Sequence, residues 1–502
     1  MKSLFFMPLS RLFFSFLLFS SLTLRAEFSI SENCSIAADL IFQARCSDAE
    51  RFLELEEKLN PDNNLVYLLR YYALSVDFLR TENPAFLSKL NKEKKLWEQK
   101  IASDPDNTSP WKFYSLGQMN LISALLRGRS GDWISCAKDL KDAYMLLRNC
   151  RKNFPDFYPC KISFGFLVAV SGSAPPNYQW VLGLAGVKGN VQEGLALLDE
   201  GLSEALAGKN AWSIKEGIIL KSFAHRNFIE DKSQTILFLN LIPESQYAQY
   251  PLVKYGLVSL ALKVGNNEWA ITCLVSGEKE THLANFPFLN YQLGICYLNK
   301  CSQEAKFWFE KFLEKFKGVS MVKSAYHKLA WASILEGKTE KYASFMEKSG
   351  KNGASVLEDD KQAENEFKSG QIPNPVLLKS RLFFDGGYLK ASLDELLRAR
   401  KSGKLKTMEE QFEATYRMAR IYQVKLEFEK AVPLFEAVVN AKFLQKTYMP
   451  ANAALMLGNI YEIRGNFQAA RGFYQKVLNL NGFEYENSLK QKAKAGLSRI
   501  KS

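Results

Sequence analysis

The C-terminal part of the chain contains the same residue pattern twice, in register. The segment Thr415–Val439 (TYRMARIYQVKLEFEKAVPLFEAVV) aligns with Ala454–Leu478 (ALMLGNIYEIRGNFQAARGFYQKVL) at an offset of 39 residues. Small and aromatic residues recur at four positions, and all internal spacings agree. The matched positions are Ala419 with Gly458, Tyr422 with Tyr461, Ala431 with Ala470, and Phe435 with Tyr474. Self-similarity of this kind predicts a chain built from stacked copies of one structural unit.

The spacing within each copy suits two helices that pack as a hairpin. A close crossing of two helices needs a small residue on each of them, with aromatic rings filling the space beside the contact. In the second copy, Gly465 and Asn466 supply the turn between the helices. The pattern resembles the tetratricopeptide repeat, a helical hairpin of about 34 residues. This resemblance extends from about Leu65 to the C-terminus and implies an all-α fold, an α-solenoid of helical hairpins.

Weaker copies of the pattern continue upstream, as in the segment Phe288–Leu313, and two stretches interrupt them. We predict an N-terminal helical-repeat array over residues 27–348, with an irregular insert near 153–176. Residues 349–375, a polar and glycine-containing stretch, are predicted to form a joint, within which one amphipathic helix can still form. The C-terminal array then covers residues 376–502.

The N-terminus has the pattern of a secretory signal peptide. Basic residues up to Arg11 precede an apolar run from Leu12 to Leu24, and the small residue Ala26 follows. Cleavage after Ala26 predicts an exported protein of the bacterial periplasm or cell envelope. Retention of the segment as a membrane anchor is the alternative, although a membrane span needs about 20 apolar residues.

Charge and cysteine content leave several alternatives open. The chain has a net charge of +13, spread along its length with modest clusters at Lys89–Lys100 and Lys490–Lys501. These clusters suit solvated helix faces better than a surface that tracks phosphates, so we predict no nucleic acid partner, while peripheral contact with membrane lipid is allowed. The eight cysteines of an exported chain are either free or paired. The close pairs are Cys34 with Cys46, Cys150 with Cys160, and Cys296 with Cys301.

A narrower resemblance concerns the middle of the chain. The block Pro175–Leu202 (PPNYQWVLGLAGVKGNVQEGLALLDEGL) is similar to a helix, glycine-rich turn and helix of the inclusion-body-clearance proteins and their relatives, tetratricopeptide repeat protein thirty-nine. These relatives are non-enzymatic and linked to lipid homeostasis. The resemblance implies an interaction role with a lipid-related setting, although the relatives are intracellular and this chain carries an export signal.

No catalytic motif is found in the sequence. The three histidines, His225, His282 and His327, lack metal-ligand spacing and are predicted to lie at the surface or its boundary. A serine-nucleophile elbow is missing, and the glycine-rich stretch Gly183–Asn190 follows no strand and lacks the Lys-Ser/Thr pair of a phosphate-binding loop. We therefore predict a non-enzymatic protein with no cofactor, no metal site and no catalytic residue.

Binding is the class of function that remains, and the geometry of the repeats predicts where on the protein a partner binds. Stacked hairpins form a concave face that is lined by the first helix of each repeat. We predict that this face binds other proteins or peptides, which makes the chain an exported scaffold. The alternatives are a lipid- or glycan-binding envelope protein and, for these side chains, simple exposure to solvent. The predicted binding residues are Glu413, Tyr416, Arg420, Gln423, Asn452, Leu455, Asn459 and Glu462.

Overall fold

The helical spacing of the apolar residues is realised throughout the part of the chain that the structure describes. The computed structural model describes residues 28–173, 179–229, 231–243, 245–277, 283, 285–355, 357–441 and 447–500. These residues form helices and no strands, and consecutive helices pack as tetratricopeptide-like hairpins. The predicted all-α solenoid is therefore confirmed. The predicted signal peptide, residues 1–26, lies outside the described residues.

The chain divides into two units. The first comprises Met1–Leu79 and Asn83–Ala224, and the second comprises Arg80–Glu82 and His225–Ser502. Ten helices begin in the described residues of the first unit, and the last of them crosses the boundary. They are α1 (Glu32–Phe42), α2 (Cys46–Leu59), α3 (Leu65–Thr81), α4 (Pro84–Ser103), α5 (Pro110–Ser130), α6 (Trp133–Asn153), α7 (Tyr158–Gly172), α8 (Gln179–Ala185), α9 (Val191–Ala207) and α10 (Ala211–Phe228).

The second unit continues the series within its described residues. Its helices are α11 (Lys232–Asn240), α12 (Pro251–Val264), α13 (Asn267–Val275), α14 (Phe288–Asn299), α15 (Glu304–Lys315), α16 (Val322–Leu335), α17 (Thr339–Lys351), α18 (Glu358–Ser369), α19 (Pro375–Asp385), α20 (Leu389–Lys401), α21 (Met408–Val424), α22 (Phe428–Val439), α23 (Met449–Ile463), α24 (Phe467–Asn479) and α25 (Glu486–Arg499).

The polar segment 349–375, expected to be a joint, holds α18 and lies inside the second unit. This helix packs against α16 and α17. Its Asp360 is fully buried and accepts hydrogen bonds from the backbone N–H groups of Met321 (2.7 Å) and Ser324 (3.0 Å) at the start of α16. A carboxylate at a helix N-terminus satisfies donors that have no partner within the helix. The structure thus places the division between units near residue 224 and not at this polar segment.

The insert expected near 153–176 contains a regular helix, α7. It packs closely on α9 because glycines face each other across the contact. A Cβ added at Gly165 would lie 2.6 Å from the backbone nitrogen of Leu198, and one at Gly194 would overlap the backbone of Ala169. Backbones at this distance leave no room for side chains. The apolar run of α7 is therefore used for packing within the first unit.

A buried carboxyl group joins four helices of the first unit. Glu216 on α10 accepts hydrogen bonds from the hydroxyls of Tyr72 on α3 (3.2 Å) and Tyr114 on α5 (2.7 Å). The Gln118 amide and the Ser163 hydroxyl of α7 also donate to it. Burial raises the pKa of Glu216 to about 7, and the hydrogen bonds oppose this shift. The folded state thus favours the protonated form of this carboxyl up to neutral pH.

The repeated pairing of a small with an aromatic residue has a direct structural cause. In the C-terminal hairpin, Gly458 on α23 faces the ring of Tyr474 on α24, and an added Cβ would overlap that ring. A Cβ added at Gly496 on α25 would lie 2.5 Å from the same ring. Upstream, a Cβ added at Gly294 of α14 would lie 2.7 Å from the ring of Phe309 on α15. The ring of the second helix therefore requires a small residue on the first.

Replacing Gly458 by alanine is expected to lower the free energy of unfolding by about 1–3 kcal/mol, because overpacking forces the ring of Tyr474 to shift. Gly472 is a matched control, since it lies within α24 and an added Cβ would meet no atom within 4 Å. Gly472→Ala should raise stability by up to about 1 kcal/mol through its helix propensity. Urea unfolding followed by circular dichroism measures both. Equal effects of the two substitutions would contradict the packing argument.

Candidate functional site

A groove of about 800 Å³ lies in the second unit and includes part of the predicted binding face. The first helices of the last two hairpins, α21 and α23, contribute Tyr416, Arg420 and Asn452 to its lining. The other lining residues come from α18, α19, the turn between them and the residues just before α25, together with Arg417 of α21 and Tyr448 just before α23. Because these segments are distant in sequence, the groove exists only through the stacking of the hairpins. Three of the eight predicted binding residues are therefore brought together in one site.

The other five predicted residues make contacts within the protein. Glu413 pairs with Arg417, which itself lines the groove, at 2.9 Å, and the Gln423 amide donates to the sulfur of Met456. Leu455 is 2% exposed and belongs to the core of the last hairpin. Asn459 accepts a hydrogen bond from the Tyr474 hydroxyl at 2.7 Å. These four side chains thus already have intramolecular contacts.

Glu462, the last of the eight, is held by the C-terminal helix. The Arg499 guanidinium of α25 donates to both of its carboxylate oxygens, at 2.8 and 2.9 Å, and the Tyr474 hydroxyl donates to it as well. The hydrogen bonds from Arg499 and Tyr474 lower the pKa of this carboxyl despite partial burial. Helix α25 packs on α23 and covers the end of the last hairpin. The predicted binding face is therefore smaller at its C-terminal end than the repeat pattern suggests.

Two polar atoms in the groove are buried and have no hydrogen-bond partner. They are Nε of Arg420, a donor, and Oδ1 of Asn452, an acceptor. The Arg420 guanidinium lies over the ring of Phe384, 5.8 Å from its centre. Leaving a buried donor or acceptor unsatisfied costs about 1–3 kcal/mol each. Both residues line the groove, so these two atoms lack a hydrogen-bond partner within the protein and come within reach of a ligand once their side chains turn toward the opening.

A row of three tyrosines forms one side of the groove. The rings of Tyr416 and Tyr448 are 5.9 Å apart and perpendicular, and those of Tyr448 and Tyr485 are 5.9 Å apart at 81°. Tyr485 is 62% exposed and has a φ of 60°, a left-handed conformation that non-glycine residues rarely adopt. Such backbone strain often occurs at binding sites. The hairpin pattern missed Tyr448 and Tyr485 because they precede α23 and α25.

The wall formed by α18 and α19, which pack against α16, carries opposite charges. Trp331 lies between two cations, with the Lys328 ammonium 3.6 Å and the Arg381 guanidinium 5.0 Å from its ring centre. Its indole N–H donates to Glu366 at 2.8 Å. Burial lowers the pKa of Lys328 to about 8. Since Arg381 and Glu366 both line the groove, its walls offer groups of both signs and not a purely basic surface.

Two histidines differ from the prediction of a surface position. His327 is fully buried, with Nε2 placed 2.9 Å from a carboxylate oxygen of Glu366, and burial lowers its pKa to about 4. His225 is also buried, against Thr235 and Phe238. Helical periodicity could have shown this for His327, which lies in an apolar stretch of α16. His282 lies outside the described residues.

The described residues hold no cluster of three or more histidine, cysteine or acidic side chains that could bind a metal ion. Over the same part of the chain, every helix is too short or too polar to cross a membrane. The groove offers hydrogen-bonding and aromatic groups, which suit binding.

Comparison with known proteins gives similar structures but no family. No family model matches the chain, and no curated protein matches it. The similar solved structures include the human IFIT1 dimer with m7Gppp-AAAA, at 14% identity over 90% of each chain and a TM-score of 0.34. Monomeric IFIT1 mutants with m7Gppp-AAAA and with Gppp-AAAA are 13% and 12% identical over 91% of each chain, with TM-scores of 0.27 and 0.25.

This finding corrects the partner prediction. The sequence predicts no nucleic acid partner, whereas the similar structures contain a capped RNA, so that prediction is withdrawn. Its physical basis was the spread of basic residues along the chain. A spread in sequence does not determine how charges are arranged once helices stack. The narrower resemblance to the inclusion-body-clearance proteins stays a prediction.

Proposed function

We propose that this chain is a non-enzymatic scaffold that binds an extended segment of another protein in the groove of its second unit. One observation carries the proposal: the buried, unpartnered donor of Arg420 and acceptor of Asn452. A peptide unit offers the complementary pair, a C=O that accepts and an N–H that donates. A bound peptide would satisfy both atoms and would recover the cost of burying them.

The surroundings of these two atoms also suit a peptide. The tyrosine row offers flat apolar surface with polar tips, which is common where proteins bind segments of other proteins. Because the groove walls carry charges of both signs, they can fix the direction in which a peptide with acidic and basic side chains binds. The lipid alternative gains no support from the apolar segment 164–170, which lies within α7 and packs on α9. A peptide ligand is therefore preferred.

Selection from a displayed library of random linear peptides tests the proposal. The full chain should enrich related sequences, and a double variant, Arg420→Ala with Asn452→Ala, should not. Enrichment of the same peptides by both proteins would show that binding occurs elsewhere. Failure to enrich any peptide, together with binding of vesicles or glycans in parallel arms, would favour the lipid or glycan alternative.

The proposed setting of the scaffold is the bacterial cell envelope. The support for it is the basic start, apolar run and small residue that end at Ala26. Protein purified from the native cells is expected to begin at Glu27, which N-terminal sequencing measures. Recovery of an intact N-terminus in the cytoplasmic fraction would contradict export.

A further inference from the structure

Among the three close cysteine pairs in the sequence, the structure brings one into mutual contact. Cys150 lies near the end of α6 and Cys160 at the start of α7, and both are fully buried. The Cys160 thiol donates to the backbone oxygen of Leu147 at 3.0 Å, one turn before Cys150 on the same helix. The Cys160 sulfur is therefore held against the turn that carries Cys150.

The side chain of Cys150 also lies beside that of Cys160. The interaction of the two thiols, followed by burial, raises the pKa of Cys160 well above its usual range. The Cys150 sulfur is fixed from another direction by the backbone oxygen of Pro110, at 3.5 Å. Two sulfurs held in contact by the packing of their helices need little rearrangement to form a bond.

The other cysteines have different neighbours. Cys34 interacts with Ser31 and Asn63, and the charged groups nearest Cys301 are Lys379 and Glu395. Cys296, which lies close to Cys301 in sequence, instead has Cys273 nearby, and burial is the main cause that raises the pKa of Cys296. Among the three pairs that are close in sequence, the geometry thus brings Cys150 and Cys160 together.

We propose that Cys150 and Cys160 form a disulfide that links α6 to α7, and that the other six cysteines remain thiols. The oxidant is a disulfide of the glutathione class. The thiolate of one cysteine attacks oxidised glutathione, forms a mixed disulfide and releases one glutathione. The second cysteine, after losing its proton, then attacks the mixed disulfide and releases the second glutathione. Two electrons and two protons pass from the protein to the two glutathione thiols.

The two sulfurs are buried in the native fold, so the exchange takes place while the chain folds. We therefore test it by refolding the full chain from urea in a mixture of oxidised and reduced glutathione. After acid quench and renewed unfolding, iodoacetamide should label six of the eight cysteines, against eight in a sample reduced beforehand. Trypsin cuts after Arg151 and Lys152, so the disulfide should hold the peptide that contains Cys150 to the one that contains Cys160.

Single cysteine substitutions identify which two cysteines are linked. Cys150→Ala and Cys160→Ala should each leave seven reactive thiols, because the remaining partner is freed. Cys136→Ala, at a buried cysteine of the same helix α6, should leave five. Eight reactive thiols in the refolded wild type, or a linked peptide that joins any other two cysteines, would overturn the proposal. The linked peptide is measured on the wild type and does not depend on how well the variants fold.

Discussion

The free energy of unfolding of the wild type is expected to fall by roughly 2–4 kcal/mol between pH 4.5 and pH 7, and Glu216→Gln should abolish this fall. The pKa of the buried carboxyl is raised to about 7, above its ordinary value of 4.5. Between these values the folded state holds a proton that the unfolded state has released. The stabilising contribution is therefore complete below pH 4.5 and is lost as the pH rises through 7.

Urea unfolding at pH 4.5 and at pH 7.5 measures this effect as the difference in pH dependence between wild type and Glu216→Gln. Other titrating groups contribute equally to both proteins and cancel. Glu200→Gln, in the same unit, is a control of opposite sign, because the Lys161 ammonium lowers the pKa of Glu200. The contribution of Glu200 to stability is lost as the pH falls and is small, since the Glu200 carboxylate is exposed to solvent. An unchanged pH dependence in Glu216→Gln would contradict a buried, protonated carboxyl.

Arg420→Ala and Asn452→Ala are each expected to weaken the binding of a selected peptide about 10–100-fold, the loss of one or two buried hydrogen bonds to polar or charged groups. The same substitutions should change the free energy of unfolding by less than about 1 kcal/mol, because Nε of Arg420 and Oδ1 of Asn452 have no hydrogen-bond partner in the free protein and the contact of Arg420 with the Phe384 ring is weak. A residue with a structural role would show the opposite pattern. Calorimetric titration and urea unfolding measure the two quantities.

Two matched variants separate binding from structure. Arg464→Ala removes an arginine that follows α23 and pairs with Glu429 on α22, outside the groove lining, and should leave the affinity unchanged. Asn459→Ala removes one of the two acceptors of the Tyr474 hydroxyl and should lower stability slightly with little effect on affinity. A loss of affinity in Arg464→Ala equal to that in Arg420→Ala would indicate a general charge effect. Peptide binding that survives both groove substitutions would exclude this groove as the site.

The hairpins themselves could be predicted because their signal is local. Ala419, Ala431, Gly458 and Ala470 are buried small residues, and the rings of Phe435 and Tyr474 are fully buried beside them, as the repeat pattern requires. Helix identity and pairing depend on residues close in sequence, whose periodicity can be read directly. The same periodicity placed Tyr416, Arg420 and Asn452 on one side of their helices.

The prediction of the binding face was incomplete because exposure depends on distant elements. Nothing in the sequence near Leu455 and Glu462 shows that α25 packs over them. Likewise, Tyr448 and Tyr485 meet only because the chain returns after α24. A pattern that assigns each residue to a helix face cannot tell which faces a later helix will cover.

The sequence by itself determined the all-helical hairpin architecture, since small and aromatic residues at helical spacing permit only one kind of packing. The tertiary structure alone decided where the units divide, which polar atoms stay unpartnered in the groove, and how Glu216 meets tyrosines up to 144 residues away. The physical reason is the separation along the chain over which each interaction acts. Helix formation follows from neighbours within a few residues, whereas burial and hydrogen bonding depend on how successive hairpins rotate against one another, which only the assembled packing determines.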